Sequence, residues 1–317
     1  MILLLLTQFF QGDARLIVAR LQRFPRGELV DCLHGCSYCH AFPMAASRAF
    51  RQPGFGGVNS SRCFSGSIYE PAMPTKLSTR LTLLVWLLSA VVLAILVYYP
   101  VSNRLMRGAE LVLGLVLWRG LLALAWKHRW WRFGLLTVTG LGAAFLMMPG
   151  RDLPPAEELR SEYVQGLRTY EGVTYHWGGE AWNGIDCSGL VRCGLMKSCF
   201  LRGLRTADSG LVRRAISLWW NDTSARALGE GYANLTQPIG ETPALNGFDH
   251  SQLLPGDLAV TANGVHIMAY LGGGEWLEAD PAAWRVIAVR VPATDVGWFS
   301  VPMRLVRWSV LAPPPGG

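Results

Sequence analysis

The sequence predicts an α+β domain at the C-terminal end of the chain, preceded by membrane-spanning helices. Three observations carry this expectation. Leu81 to Tyr99 is a run of nineteen residues without a charge. After residue 150 the apolar positions recur at helical spacing along one face. Beyond residue 254, short apolar runs alternate with turn signals such as Asn263-Gly264 and Gly272-Gly273-Gly274. Composition agrees: of 317 residues, 51% are hydrophobic and 16% charged, well under the roughly 25% charge of ordinary soluble domains. Mean hydropathy is +0.25. The net charge of +7 comes from 29 Lys and Arg against 22 Asp and Glu, much of it flanking the apolar runs. It comes with no aromatic-interleaved basic stripe and no zinc-finger spacing, so nucleic acid is not expected as a partner.

Residues 1–72 are read as a poorly ordered or spurious extension. They open on a short apolar run, Ile2 to Leu6, with no basic residue before it, a poor match to a signal peptide. Met73, followed by Lys76, Arg80 and the first apolar run, has the arrangement of a signal-anchor start. The segment Cys32-Leu-His-Gly-Cys36-Ser-Tyr-Cys39 resembles the CxxxCxxC cluster site of the radical S-adenosylmethionine enzymes. That chemistry needs a partial α/β barrel to shield the radical, and too little chain follows before the membrane. The three thiols are therefore read as adventitious or as a weak metal site.

Residues 73–150 form the membrane region, with one to three spans at 81–99, 111–126 and 133–148. At about 1.5 Å per residue the first run covers roughly 28 Å, close to the hydrocarbon thickness of a bilayer. The second is interrupted by Arg119, and the third is short. Parity decides where the rest of the chain lies. Lys76 and Arg80 precede the first run, and Lys127, Arg129 and Arg132 lie between the second and third; only Arg104 and Arg107 lie between the first and second. With three spans this bias favours the first flank inside and the C-terminal domain outside. Tyr98, Tyr99, Trp126, Trp130 and Trp131 stand where interfacial aromatics belong.

The third part, residues 151–317, opens with Pro154-Pro155-Ala-Glu-Glu, proline and acid at a helix start. Leu159, Tyr163, Val164, Leu167 and Tyr170 then share a face, and Gly172 ends the helix. A glycine-rich stretch leads to Gly184-Ile-Asp186-Cys187-Ser188-Gly189-Leu190-Val191, after which the pattern is helical again, so Cys187 falls at a helix N-terminus. Leu211 to Trp220 reads as an extra amphipathic helix. Strands are expected at Leu258–Val260, Val265–Leu271, Glu275–Ala279 and Arg285–Val291, an antiparallel meander following helices.

A cysteine at a helix N-terminus is chemically poised. Only the thiolate attacks, a free thiol ionises near pH 8.5, and unpaired N–H groups with the helix dipole favour the anion. The same amides can hold an oxyanion when a carbonyl is attacked. A histidine must complete the pair. His266 opens the second strand of the meander, and Glu278 and Asp280 lie on the third, each an even number of residues from it. Either carboxylate can therefore share its sheet face and orient the imidazole; strand arithmetic does not choose between them. Cys193 and Cys199 are read as core, with a disulfide as the alternative. His176 and His250 are assigned to surface or loop, and the arginines between 202 and 214 to a solvated face.

Tyr175, Gly178-Gly179, the run from Gly184 to Val191, then Pro255-Gly256-Asp257-Leu258, then His266 followed by Tyr270-Leu271-Gly272 together resemble the NlpC-type cell-wall cysteine peptidases. The resemblance covers roughly residues 155–292. It implies a papain-like α+β fold and hydrolysis of peptidoglycan stem peptides, typically between γ-D-glutamate and a diamino acid. It implies Cys187 as nucleophile, His266 as base and Glu278, twelve residues on, as third member. Tyr175 falls at the oxyanion and substrate site, and Asp186 and Ser188 at positions that meet the free amine of the stem peptide in some members. Two departures stand out. The third residue is often histidine in that family, and the gap between Cys187 and His266 is longer here, with an added helix expected to border the cleft.

The expectation is a membrane-anchored cysteine hydrolase of the bacterial inner membrane, its catalytic domain extracytoplasmic. It needs no metal or cofactor; its partner is peptidoglycan or a muropeptide, and its regulator is unnamed. The alternatives are an amidase or acyltransferase acting on lipid or protein from the cytoplasmic side, and an inactive binding module on the same fold.

Overall fold

The computed structural model describes residues 76–151 and 156–312; the CxxxCxxC segment and the extension 1–72 lie outside them. Three long helices come first: α1 (Lys76–Tyr98), α2 (Arg104–Ala125) and α3 (Arg129–Met147). Each is long and apolar enough to cross a membrane. Their side chains are not buried in protein: Leu84, Leu88, Val91, Ile95, Leu115 and Leu141 all stand exposed. An unpartnered apolar surface of this kind on every helix is compatible with a lipid surround. Contacts between the helices are few and specific. The Trp86 indole donates to Leu117 O at 3.1 Å, and Gly120 makes room for it, since a Cβ there would lie 2.2 Å from that ring.

All three helices start earlier than the apolar runs suggest. The first two turns of α2, ahead of the run at 111–126, meet the C-terminal domain along one side. Arg107 and Glu110 are buried, and Leu111 packs against the core of the C-terminal domain. Asn103 caps this helix, its side chain accepting from Met106 N at 3.0 Å.

The C-terminal domain is α+β. Its helices are α4 (Ala156–Arg168), α5 (Cys187–Arg205), α6 (Ser209–Trp220) and the short α7 (Ala225–Gly229). A two-stranded hairpin, β1 (Glu180–Ala181) and β2 (Gly184–Ile185), precedes α5. The main sheet comprises β3 (Thr236–Thr242), β4 (Leu258–Thr261), β5 (Ile267–Gly272), β6 (Glu275–Asp280), β7 (Arg285–Arg290) and β8 (Met303–Trp308). The strand order is β3-β8-β4-β5-β6-β7, every neighbouring pair antiparallel. The expected meander β4 to β7 is present, with β8 and the edge strand β3 added beyond β4.

Both faces of this sheet are covered. Leu258, Val260, Ile267, Ala269, Leu277 and Val306 pack toward the helices. Ala259, Met268, Trp276, Met303 and Leu305 pack with Phe299 on the other face. That double burial makes β4 and β5 uninterrupted apolar runs instead of alternating ones. α5 is buried along most of its length and lies between α4, α6 and the sheet. It packs closely on α4, because a Cβ at Gly194 would meet Leu167 at 2.7 Å.

The bundle and the domain are joined by more than the chain. The connector after α1 lies on the β1–β2 hairpin: Glu180 N donates to Pro100 O at 2.9 Å, Val101 bridges Gly179, and the Asn183 amide donates to Tyr98 O at 2.7 Å. At the end of α3, Arg213 donates to Leu146 O at 2.8 Å, and the Ser209 hydroxyl to Met148 O at 2.9 Å. The arginines of 202–214 are therefore not simply a solvated face. Arg202 pairs with Glu158 and Glu162, and Arg213 holds the end of α3. The added helix α6 packs against α5 and α3.

Candidate active site

The site begins with the turn before α5. Asp186 is the N-cap, extended in backbone with φ −100° and ψ 179°. Its Oδ1 accepts from Gly189 N at 2.6 Å and from the Ser188 hydroxyl at 3.0 Å, and its Oδ2 accepts from Gly178 N at 2.9 Å. One carboxylate thus fastens the helix start to the glycine-rich loop. The glycines are required for this closeness: a Cβ at Gly189 would stand 2.2 Å from Gly179 O, and Gly178 has φ +69°. The first intrahelical bond runs from Leu190 N to Asp186 O. The amides of Cys187 and Ser188 come before it, at the end where helix N–H groups lack intrahelical partners.

Cys187 keeps 8% of its surface exposed, beside the part-exposed Tyr175 and Ser188. It lies close enough to His266 to raise the pKa of that imidazole. His266 sits one residue before β5, later than the strand start expected at Val265, and Thr261 fixes its backbone. The Thr261 hydroxyl accepts from His266 N at 3.0 Å and from Val265 N at 3.1 Å across the Asn263-Gly264 turn. His266 Nε2 lies 2.6 Å from Glu278 Oε2.

Of the two carboxylates that the strand spacing left open, Glu278 meets the imidazole. Asp280 closes the β6–β7 turn, accepting from Ala282 N at 2.9 Å and Ala283 N at 3.2 Å. The β5–β6 register, Ala269 opposite Leu277 and Tyr270 opposite Trp276, makes Glu278 the diagonal neighbour of His266, a reach that long side chains cover.

Burial alone would lower the pKa of the imidazole, but its hydrogen bonds to Cys187 and Glu278, and the charges of both, outweigh burial and raise it to about 9. Glu278 is fully buried, and its Oε1 has no hydrogen-bond partner among the described residues. A buried carboxylate of this kind needs a cation beside it, and protonated His266 is that cation. Trp298, which the sequence reading did not single out, stacks on the same ring with centroids 4.4 Å apart and planes inclined by 17°. An indole face there favours the imidazolium. It lies in the loop before β8, and nothing local in the sequence marks it.

Tyr175 is held in place through its backbone, its N–H donating to Trp284 O at 2.9 Å. Burial and the nearby Cys187, Asp186 and Asp280 raise its phenol to about 12, so it stays a donor at neutral pH. The other two described cysteines are unpaired and inert by comparison, as burial pushes Cys193 up beyond the usual thiol range and Cys199 up to about 12. His176 is exposed. His250 is enclosed by Phe248, Tyr270 and Trp276, its Nδ1 on Phe248 O at 2.8 Å, so it belongs to the packing under the sheet and not to the surface. Among the described residues, no three side chains of His, Cys, Asp or Glu converge as metal ligands.

A thiol at a helix start, an imidazole near it and a buried carboxylate on the imidazole have the arrangement that a nucleophile, base and orienter require. Residues 172–295 match the NlpC/P60 family. The resemblance read around Cys187 is thereby borne out, and all six candidate residues fall inside the NlpC/P60 match. No curated protein matches the chain. Among solved structures, an NlpC/P60 family protein of Bacillus cereus is 16% identical over 50% of this chain and 40% of its own, with a TM-score of 0.31; the chain spans only two fifths of that protein. The P60 domain of a Mycobacterium avium subspecies paratuberculosis antigen is 22% identical over 50% of this chain and 98% of its own, TM-score 0.30. The peptidoglycan hydrolase RipB of Mycobacterium tuberculosis is 21% identical over 53% of this chain and 77% of its own, TM-score 0.32.

Proposed function

We propose that this protein is a membrane-anchored cysteine peptidase that hydrolyses peptidoglycan stem peptides, with Cys187, His266 and Glu278 as its triad. The observation that carries the reading is Cys187 at the N-terminus of α5 beside His266, whose Nε2 lies 2.6 Å from the buried Glu278 Oε2. The NlpC/P60 match supports the cell-wall substrate, and the bond between γ-D-glutamate and the diamino acid is the one the family resemblance suggests.

The geometry supports the following course. The Cys187 thiolate attacks the amide carbonyl carbon, forming a C–S bond and an oxyanion. The amides at the start of α5 and the Tyr175 hydroxyl are assigned to hold that oxyanion. Protonated His266 then gives its proton to the leaving amine as the C–N bond breaks. Neutral His266 next takes a proton from water, which attacks the thioester and releases the acid and the thiolate. Glu278 holds the ring and balances its charge throughout. Asp186 and Ser188 edge the same mouth, and the amine of the stem peptide is assigned to them.

Anchoring follows from α1 to α3. The α1–α2 connector and the end of α3 both touch the C-terminal domain, so three crossings place the domain opposite the α1 start. Arg80, Lys127, Arg129 and Arg132 lie at that opposite end, the excess of positive charge expected on the cytoplasmic side. Arg107, on the domain side, is neutralised by Glu180. This supports an extracytoplasmic catalytic domain.

The test uses the full chain in nanodiscs with soluble muropeptides, products being identified by mass. The unsubstituted protein releases cleaved stem peptides, while Cys187→Ala releases none and unfolds at the same temperature. Equal cleavage by that variant removes the proposal.

A further inference from the structure

We propose that the natural substrate of this site is a stem peptide still tethered to the bilayer, and not the finished wall polymer farther out. The inference rests on the hydrolase reading above and adds where the reacting bond must lie.

The first observation is the height of the nucleophile. α1 ends at Tyr98, the last residue of the first apolar span. The Asn183 side chain donates directly to Tyr98 O at 2.7 Å. A Cβ at Gly184 would lie 2.9 Å from the Pro100 ring. Cys187 is three residues beyond Gly184, and consecutive Cα atoms are about 3.8 Å apart, so its Cα lies within roughly 11 Å of a residue packed on the membrane connector. The headgroup layer on each side of a bilayer is about 5–8 Å thick. The thiol thus works at, or one headgroup above, the lipid surface, and the domain has no stalk between the span and the hairpin that holds its nucleophile.

The second observation is independent of that distance. The segment leading into the site carries aromatics where it meets the connector. Trp177 is 77% exposed, and Tyr98 and Tyr99 stand 58% and 48% exposed. Trp182 of the β1–β2 hairpin sets its ring edge-on to Tyr98 at 5.9 Å. Exposed indoles and phenols gathered at the end of an apolar span are the side chains that seat in the headgroup layer. The loop from which Gly178 fastens Asp186, and so the start of α5, is therefore itself part of the interfacial belt.

A cleft at this height meets peptides carried on short lipid-linked headgroups. A tether ruler tests this. The full chain is placed in nanodiscs containing phospholipid-anchored stem peptides, joined through flexible linkers of about 15 Å and about 60 Å contour length, with the same peptide free in solution as the third substrate. For a cleft at the surface, effective concentration falls roughly as the −3/2 power of linker length, so the shorter tether is cleaved about eightfold faster than the longer. Faster cleavage on the longer tether puts the cleft well above the surface and overturns the proposal, as does free peptide cleaved as fast as either tethered form at matched concentration. Cleavage of none of the three substrates removes the hydrolase reading itself.

Discussion

At the scale of single residues, the site turns on the charge of His266. Its raised pKa gives a testable pH dependence. The folded value of about 9 exceeds the ordinary 6.5, so the stabilisation that the imidazolium contributes is complete below about 6.5. It is lost as pH rises through about 9. The same deprotonation removes the general acid, so the alkaline limb of kcat/KM is expected near pH 9. Glu278→Gln keeps the shape and removes the charge. A hydrogen bond to a charged partner exceeds a neutral one by about 1 kcal/mol, so the alkaline limb of this variant is expected about one pH unit lower. A profile that does not move separates Glu278 from the titration of His266. Trp298 acts on the same ring from its face. It lies beyond the span of the family match, and only the folded chain brings it to the histidine.

At the scale of elements, much was legible because the signals are local. The cap and glycines around Cys187, the Asn263-Gly264 turn and the helical stripe of α4 are set by nearest neighbours. The even spacing of His266, Glu278 and Asp280 limited the orienter to two carboxylates. Choosing between them needed the diagonal contact across β5 and β6, and the turn that occupies Asp280. The edge strand β3 escaped because Pro238 and Gly240 interrupt it, as an edge tolerates and a central strand does not. β8 reads Met-Arg-Leu-Val-Arg-Trp, so its alternation breaks at Leu305-Val306, and it lies past the meander, where no turn signal pointed to it. The glycines give the sharpest prediction at this scale. Gly189→Ala sets a methyl 2.2 Å from Gly179 O, which forces the loop off the start of α5. The cost expected for such overpacking is about 1–3 kcal/mol, read as a lower unfolding temperature together with loss of cleavage. An unchanged melting curve contradicts this account of the loop.

At the scale of the whole molecule, the α1–α3 bundle is part of the domain's structure. Glu180 accepts from Arg107 of α2 and, at 2.6 Å, from Arg192 of α5, and Arg192 also meets Asp222 at 3.0 Å. Arg107 is wholly buried. Sequence alone treated it as a flanking positive charge, because the partner that buries it lies 73 positions away. Arg107→Met leaves Glu180 with one of its two cations, and breaking a buried pair costs about 3–5 kcal/mol; thermal unfolding of the full chain in detergent measures it. A shift under one degree contradicts the coupling. The same carboxylate has a consequence for biogenesis. With the three proposed crossings, Tyr98, Pro100 and Arg107 emerge on one side of the bilayer before the domain that grips them has been made. Chain that ends up on the other face cannot reach them, and its Glu180 stays short of a cation. A misrouted copy of such a protein lacks part of its own scaffold, so correct folding of the domain reports on which side of the proposed crossings it has arrived.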